Sequence, residues 1–242
     1  MILYPAIDIR GGHAVRLLRG DYEQETRYDA DPVDAARRWA SQGARFLHVV
    51  DLDGARDGSP ANLEAIRRIA AAVDCGIQAG GGLRDPDSVS ALLDAGADRV
   101  VIGTAAHRDP EFLDAMLATH GGRIVVAVDA RGGSVALSGW MEAGDVDPAA
   151  AVAALGRRGV ERFLFTPIEV DGTMEGPGTD ELGRIAAATN AALLYSGGVG
   201  SLDDLRRLAG VAPANVEGVI VGRALYEERF TVAEAEAALA ES

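Results

Sequence analysis

Two stretches half a chain apart carry closely similar residues in the same order. Ala6-Ile7-Asp8-Ile9-Arg10-Gly11-Gly12 reappears as Ala127-Val128-Asp129-Ala130-Arg131-Gly132-Gly133, so Asp8 and Asp129 each end an apolar run and precede a glycine turn. Two carboxylates that flank one substrate can divide general acid and general base work between them. The glycines around them also repeat. Gly80-Gly81-Gly82 and Gly103-Thr104 lie in the first half, and Ser196-Gly197-Gly198 and Gly222-Arg223 follow in the second. Glycine lets backbone amides approach phosphate oxygens closely, and a helix beginning just after adds its positive end. Two such pairs imply two phosphates at opposite ends of one long substrate.

The cations limit the chemistry further. All 23 are arginine, and the 242 residues contain no lysine. A lysine Schiff base, a lysine general base and a Walker-type phosphate lysine are excluded. Backbone amides with Arg16, Arg84 and Arg223 are left to neutralise the phosphates. Thr166 ends another apolar run and opens a loop containing Asp171, Gly172 and Thr173. That composition suits a segment that orders over a ligand, with Asp171 either catalytic or a turn former. Residues 10–28 read as a long polar first loop, a candidate lid. Trp140, in Ser138-Gly139-Trp140, either packs in its loop or stacks over a heterocycle.

The elements that must position these groups are legible as short apolar runs. Candidate strands cover 2–7, 46–50, 77–79, 99–102, 124–128, 162–165, 192–195 and 219–221, with the nearly continuous apolar character of parallel strands covered on both faces. Asp31-Pro32, Ser59-Pro60, Asp85-Pro86, Asp109-Pro110 and Asp147-Pro148 each place a capping oxygen before a proline suited to a first helical turn. Thr231 can cap a last helix through about Leu239. Eight strands alternating with helices predict an α/β fold, a single (β/α)8 TIM barrel with a twofold half-barrel repeat. One domain is expected over 1–242, with half-barrels of about 1–120 and 121–242 and no linker between them. The competing doubly wound sheet lacks its Gly-x-Gly-x-x-Gly turn after the first strand. In a closed barrel, strands one and five face each other, so Asp8 and Asp129 would flank one central site.

Composition narrows the partners. Hydrophobic residues make up 48% of the chain, enough for a substantial core, and the net charge of −14 disfavours duplex DNA and anionic membranes. Cys75 is the single cysteine, and His13, His48, His107 and His120 are scattered without ligand-like spacing, so neither a disulfide nor a metal site is expected. The first residues lack the basic region of a signal peptide, and no apolar run reaches membrane-spanning length. A cytoplasmic monomer acting on a small molecule, without nucleic acid or membrane partners, is the expectation.

These residues carry a resemblance. Pro5-Ala6-Ile7-Asp8, His48-Val49-Val50-Asp51-Leu52-Asp53, Gly80-Gly81-Gly82-Leu83-Arg84, Asp129-Ala130-Arg131-Gly132-Gly133, Asp171-Gly172-Thr173, Ser196-Gly197-Gly198-Val199 and Gly222-Arg223-Ala224 span all eight units. The chain resembles the histidine-biosynthesis isomerases that act on phosphoribosylformimino-5-aminoimidazole carboxamide ribotide. The resemblance implies a half-barrel-duplicated (β/α)8 barrel and a small bisphosphorylated ribonucleotide substrate. It also implies an Amadori rearrangement of aminoaldose to aminoketose without cofactor. By this resemblance Asp129 is the general acid, Asp8 the base at C2′, and Thr166 positions the sugar; the two aspartates could exchange roles.

Two relatives are distinguished by residue. The bifunctional actinobacterial isomerase, which also takes phosphoribosyl anthranilate, usually carries an arginine two places before the tryptophan, where this chain has Ser138. The sister cyclase, which works with a glutaminase, usually has a cysteine beside the first aspartate, where this chain has Ile7. A non-catalytic sugar-phosphate binding protein would have no need of the opposed aspartates.

Overall fold

The apolar runs become parallel strands because both of their faces are covered. The computed structural model describes residues 1–241, the side chain of Ala143 excepted. The barrel strands are β1 (Ile2–Arg10), β2 (Phe46–Asp51), β3 (Gly76–Gly80), β4 (Arg99–Ile102), β5 (Ile124–Arg131), β6 (Arg162–Pro167), β7 (Ala192–Ser196) and β8 (Val216–Val221). Each pairs in parallel with its neighbours in sequence, and β8 pairs with β1 to close the ring. The outer helices are α1 (Pro32–Ser41), α2 (Leu63–Ala70), α3 (Pro86–Asp94), α4 (Pro110–His120), α5 (Pro148–Arg157), α6 (Thr179–Ala187), α7 (Leu202–Val211) and α8 (Val232–Ala240). This is a single (β/α)8 barrel.

Strand alternation sorts side chains into two apolar layers. Tyr4, Ala6, Val125, Ala127, Leu164 and Ile220 point inward and fill the barrel. Leu3, Ile7, Leu47, Val49 and Phe163 point outward and pack with helix residues such as Trp39, Ile66, Leu92 and Leu113. At the floor, formed by the strand N-termini, Glu217 accepts from Arg99 at 3.0 Å, from Arg162 at 2.7 Å and from the Tyr4 hydroxyl at 3.3 Å. Among the described residues no helix is long and apolar enough to cross a membrane.

Most predicted helix starts are present. The side chains of Asp31, Asp85, Asp109 and Asp147 each accept a backbone amide of the first turn, and Thr231 forms a capping box with Glu234. Ser59-Pro60 does not start a helix: α2 begins at Leu63 behind Asn62. The competing partner is the Asp51 carboxylate, which accepts from the amides of Ala61 (2.6 Å) and Asn62 (2.8 Å) and draws the segment across the end of β2.

The expected polar lid over 10–28 is also different in kind. His13–Leu18 turns back antiparallel onto β1, pairing Asp8 with Val15, and carries a second antiparallel strand, Asp21–Asp29. Strand β8 pairs only with Ile2–Pro5, so the upper part of β1 keeps a free edge that this hairpin takes up. Gly11 and Gly12, at φ +55° and +77°, supply the tight turn that two-residue hairpins favour. The second half makes a shorter version, with Gly132 and Gly133 at φ +59° and +79° leading into Ser134–Leu137.

Candidate active site

The strand C-termini open into a cavity of about 240 Å³, lined by residues from all eight strands or the turns that follow them. Asp8 reaches it from β1 and Asp129 from β5, which lie four strands apart either way round the ring. Register places Thr166 beside Asp129 across the β5–β6 ladder. Asp171 reaches the cavity from the loop after β6, just past the short turn Ile168–Val170.

Burial dominates the electrostatics. Asp8 is 8% exposed, and desolvation pushes its pKa up to about 6 despite the guanidinium of Arg16 at 2.9 Å, with Asp171 adding to the rise. Asp129 is also pushed up to about 6 by desolvation, against hydrogen bonds from Trp140 and Thr166 that favour its charged form. The Asp171 carboxyl is raised by burial, with Arg16 opposing. Three carboxyl groups thus share one cavity mouth with one buried arginine. Groups that hold or release a proton near pH 6 are suited to acid–base chemistry in near-neutral water.

Trp140 is fixed by a hydrogen bond as well as by packing. It adopts φ +71°, and its indole N–H donates to Asp129 Oδ2 at 2.7 Å. A Cβ built on Gly20 would lie 2.2 Å from the Trp140 ring, so the first hairpin seats the indole against its own backbone. Arg19, next to Gly20, donates its amide to the Asp171 carbonyl at 3.1 Å. The loops after β1, β5 and β6 therefore meet over the carboxylates.

The glycine turns fall at matched positions. Gly103 caps the short helix Thr104–Arg108 with φ −95°, ψ −110°, and Gly222 caps Arg223–Tyr226 with φ −113°, ψ −84°. Gly81 and Gly198, both at positive φ, are held by close packing as well: a Cβ would lie 2.2 Å from the Asp51 carbonyl oxygen and 2.1 Å from that of Gly176. Gly81, Gly82, Arg84, Gly103 and Thr104 line one end of the main cavity, with the Thr104 hydroxyl accepting the Ser138 amide at 2.8 Å. At the other end Gly172, Ser196, Gly197, Gly198, Gly222 and Arg223 surround a smaller recess that Arg16 also borders.

Two expected cations have protein partners already. Arg16 is paired with Asp8, and Arg223 holds Glu227 at 2.6 Å and the Gly172 carbonyl at 2.9 Å. Thr173 lines neither cavity; its hydroxyl donates to the Val170 carbonyl at 2.8 Å.

Sequence reasoning from residue types passed over His48 and His107 as scattered histidines. Both line the cavity, His107 with Nε2 at 2.8 Å from the Ala127 carbonyl. For His48 a signal existed, because Phe46, His48 and Val50 share the inward phase of β2.

Residues 2–231 match the family described as "Histidine biosynthesis protein". A Brevibacillus brevis protein is 46% identical over 234 residues, covering 97% of this chain and 94% of its own. One from Desulforudis audaxviator is 48% identical over 97% of this chain and 90% of its own, and one from a Synechococcus species 45% over 100% and 94%. Each of the three is named 1-(5-phosphoribosyl)-5-((5-phosphoribosylamino)methylideneamino)imidazole-4-carboxamide isomerase.

Proposed function

The chain belongs to the histidine biosynthesis protein family, and from that premise we propose that it is an aldose–ketose isomerase performing the Amadori rearrangement of phosphoribosylformimino-5-aminoimidazole carboxamide ribotide. The observation that carries this reading is the pair of carboxyl groups on opposed strands, Asp8 and Asp129, facing one cavity, where desolvation pushes each up to about 6.

In the mechanism, protonated Asp129 donates to the ribose ring oxygen as the C1′–O bond breaks. The substrate's own nitrogen takes up the positive charge as a Schiff base. Deprotonated Asp8 then removes the C2′ proton, the electron pair moves into the C1′–C2′ bond, and an enolamine results. Reprotonation at C1′ and loss of the C2′ hydroxyl proton give the ketose, with no net gain or loss of atoms or electrons. No redox cofactor or enzyme lysine enters, which suits a chain without lysine. Arg16 keeps part of the Asp8 population ionised, while Trp140 and Thr166 hold the Asp129 carboxyl in place. Asp171 supplies a third buried carboxyl group beside Arg16.

One substrate phosphate lies against Gly81, Gly82, Arg84, Gly103 and Thr104. The other lies against Gly172, Ser196, Gly197, Gly198, Gly222 and Arg223. The protein acts as a cytoplasmic monomer without nucleic acid or membrane partners; its acidic charge supports the absence of polyanionic partners, and its lone cysteine suits a reducing compartment. The test is turnover of the bisphosphorylated substrate by wild type, Asp8→Asn and Asp129→Asn. Turnover that survives both substitutions overturns the mechanism. Efficient turnover of phosphoribosyl anthranilate by the wild type overturns the single-substrate assignment.

A further inference from the structure

His48 is buried and lines the main cavity from β2. The barrel register sets it beside Ala6 on one side and Gln78 on the other. Gln78 is 0% exposed, and its Nε2 lies 3.1 Å from His48 Nδ1. With the Gln78 amide turned so that its N–H faces Nδ1, that nitrogen is the acceptor and the imidazole proton sits on the other one. Among the described residues His48 Nε2 has no protein partner, and it is the ring nitrogen left for the cavity. Burial, with Arg16 nearby, holds the ring far on the neutral side, at a pKa of about 3. A neutral ring is a poor partner for phosphate and a good one for an uncharged oxygen.

Resting on the isomerase reading above, we propose that His48 is a substrate-positioning residue, its Nε2–H donating to an uncharged carbonyl or hydroxyl oxygen in the middle of the substrate. Gln78 is the residue that fixes the tautomer. The Gln78 amide oxygen has no hydrogen-bond partner although it is buried. The contact with His48 is thus the one hydrogen bond the Gln78 side chain makes among the described residues.

The pair takes no part in the proton transfers, so its loss changes affinity rather than chemistry. Removing one neutral hydrogen bond to a bound ligand costs about tenfold in affinity.

Two measurements separate this proposal from the function on which it rests. The first is 15N NMR of histidine in the ligand-free wild-type protein, which needs no substrate. His48 is expected as the neutral Nε2–H tautomer throughout pH 6 to 8, and in Gln78→Leu as a mixture of tautomers. A protonated His48 in that range, or a pure Nδ1–H form, overturns the proposal. The second is steady-state kinetics with the bisphosphorylated substrate. His48→Phe is expected to raise KM about tenfold with kcat within about twofold. His48→Gln, which puts an amide N–H near the Nε2 position, recovers most of the loss. Unchanged KM in a folded His48→Phe, or a kcat that collapses in both variants, overturns it. Absence of turnover in the wild type rejects the isomerase reading, and the NMR result then still decides the tautomer assignment.

Discussion

Replacing Asp129 with asparagine stabilises this protein at pH 8 while abolishing its turnover. Burial raises the carboxyl from an ordinary value near 3.8 to about 6, and no cation compensates it. Between about pH 4 and pH 6 the folded chain keeps a proton that the unfolded chain has lost. Stability therefore falls as pH rises through that window, and the deficit persists above it. A shift of this size corresponds to about 3 kcal/mol. Asparagine keeps an oxygen for the Trp140 indole and does not titrate. In a barrel of this length about 3 kcal/mol raises Tm by roughly 10 °C. Urea or thermal unfolding of both proteins at pH 8 and pH 4 measures the gap, which should be full at pH 8 and nearly absent at pH 4. Equal gaps at both values, or a destabilised variant at pH 8, refute the argument that the site holds a carboxylate against its own solvation.

Three further outcomes follow from the same groups. The pH profile of kcat/KM should be bell-shaped with its maximum near pH 6, because Asp8 must have lost a proton and Asp129 must hold one while both lie near that value; a maximum near pH 8 contradicts the acid–base pairing. Trp140→Phe removes the 2.7 Å donor to Asp129, so the proton is held about tenfold more tightly and the alkaline limb moves up by about one pH unit. Gly20→Ala places a methyl in the Trp140 ring; the same limb should move in the same direction, with no further effect in the double variant.

The barrel strands were legible because each apolar run is continuous, bounded and about the right length, and seven of the eight extend beyond the predicted residues by one or more positions. The first hairpin was not legible. Its outer strand, Asp-Tyr-Glu-Gln-Glu-Thr-Arg-Tyr-Asp, is largely polar and half exposed, so it lacks an alternating apolar signal. Ser59-Pro60 carried a correct local cap signal and lost to Asp51, whose carboxylate offers the same amides a buried acceptor. The repeat exposed Asp8 and Asp129 as a pair, and the order of closure explains why they oppose each other. What raises their pKa values is solvent exclusion by the assembled loops, a tertiary property. The Trp140–Asp129 bond depends on a loop at positive φ and on the absence of a side chain at Gly20, neither visible as periodicity or spacing.

The Glu217 cluster at the floor has a consequence for traffic. With Arg99, Arg162 and Tyr4 converging on one carboxylate beneath a filled apolar layer, the barrel is a blind vessel with a single mouth. Entry and exit must share that mouth, and the loops that seat Trp140 over Asp129 stand in it. A molecule anchored at both ends cannot slide through; it has to be lifted out after those loops part. Departure of the product and arrival of the next substrate are then successive events at one gate, and slowing the gate slows both.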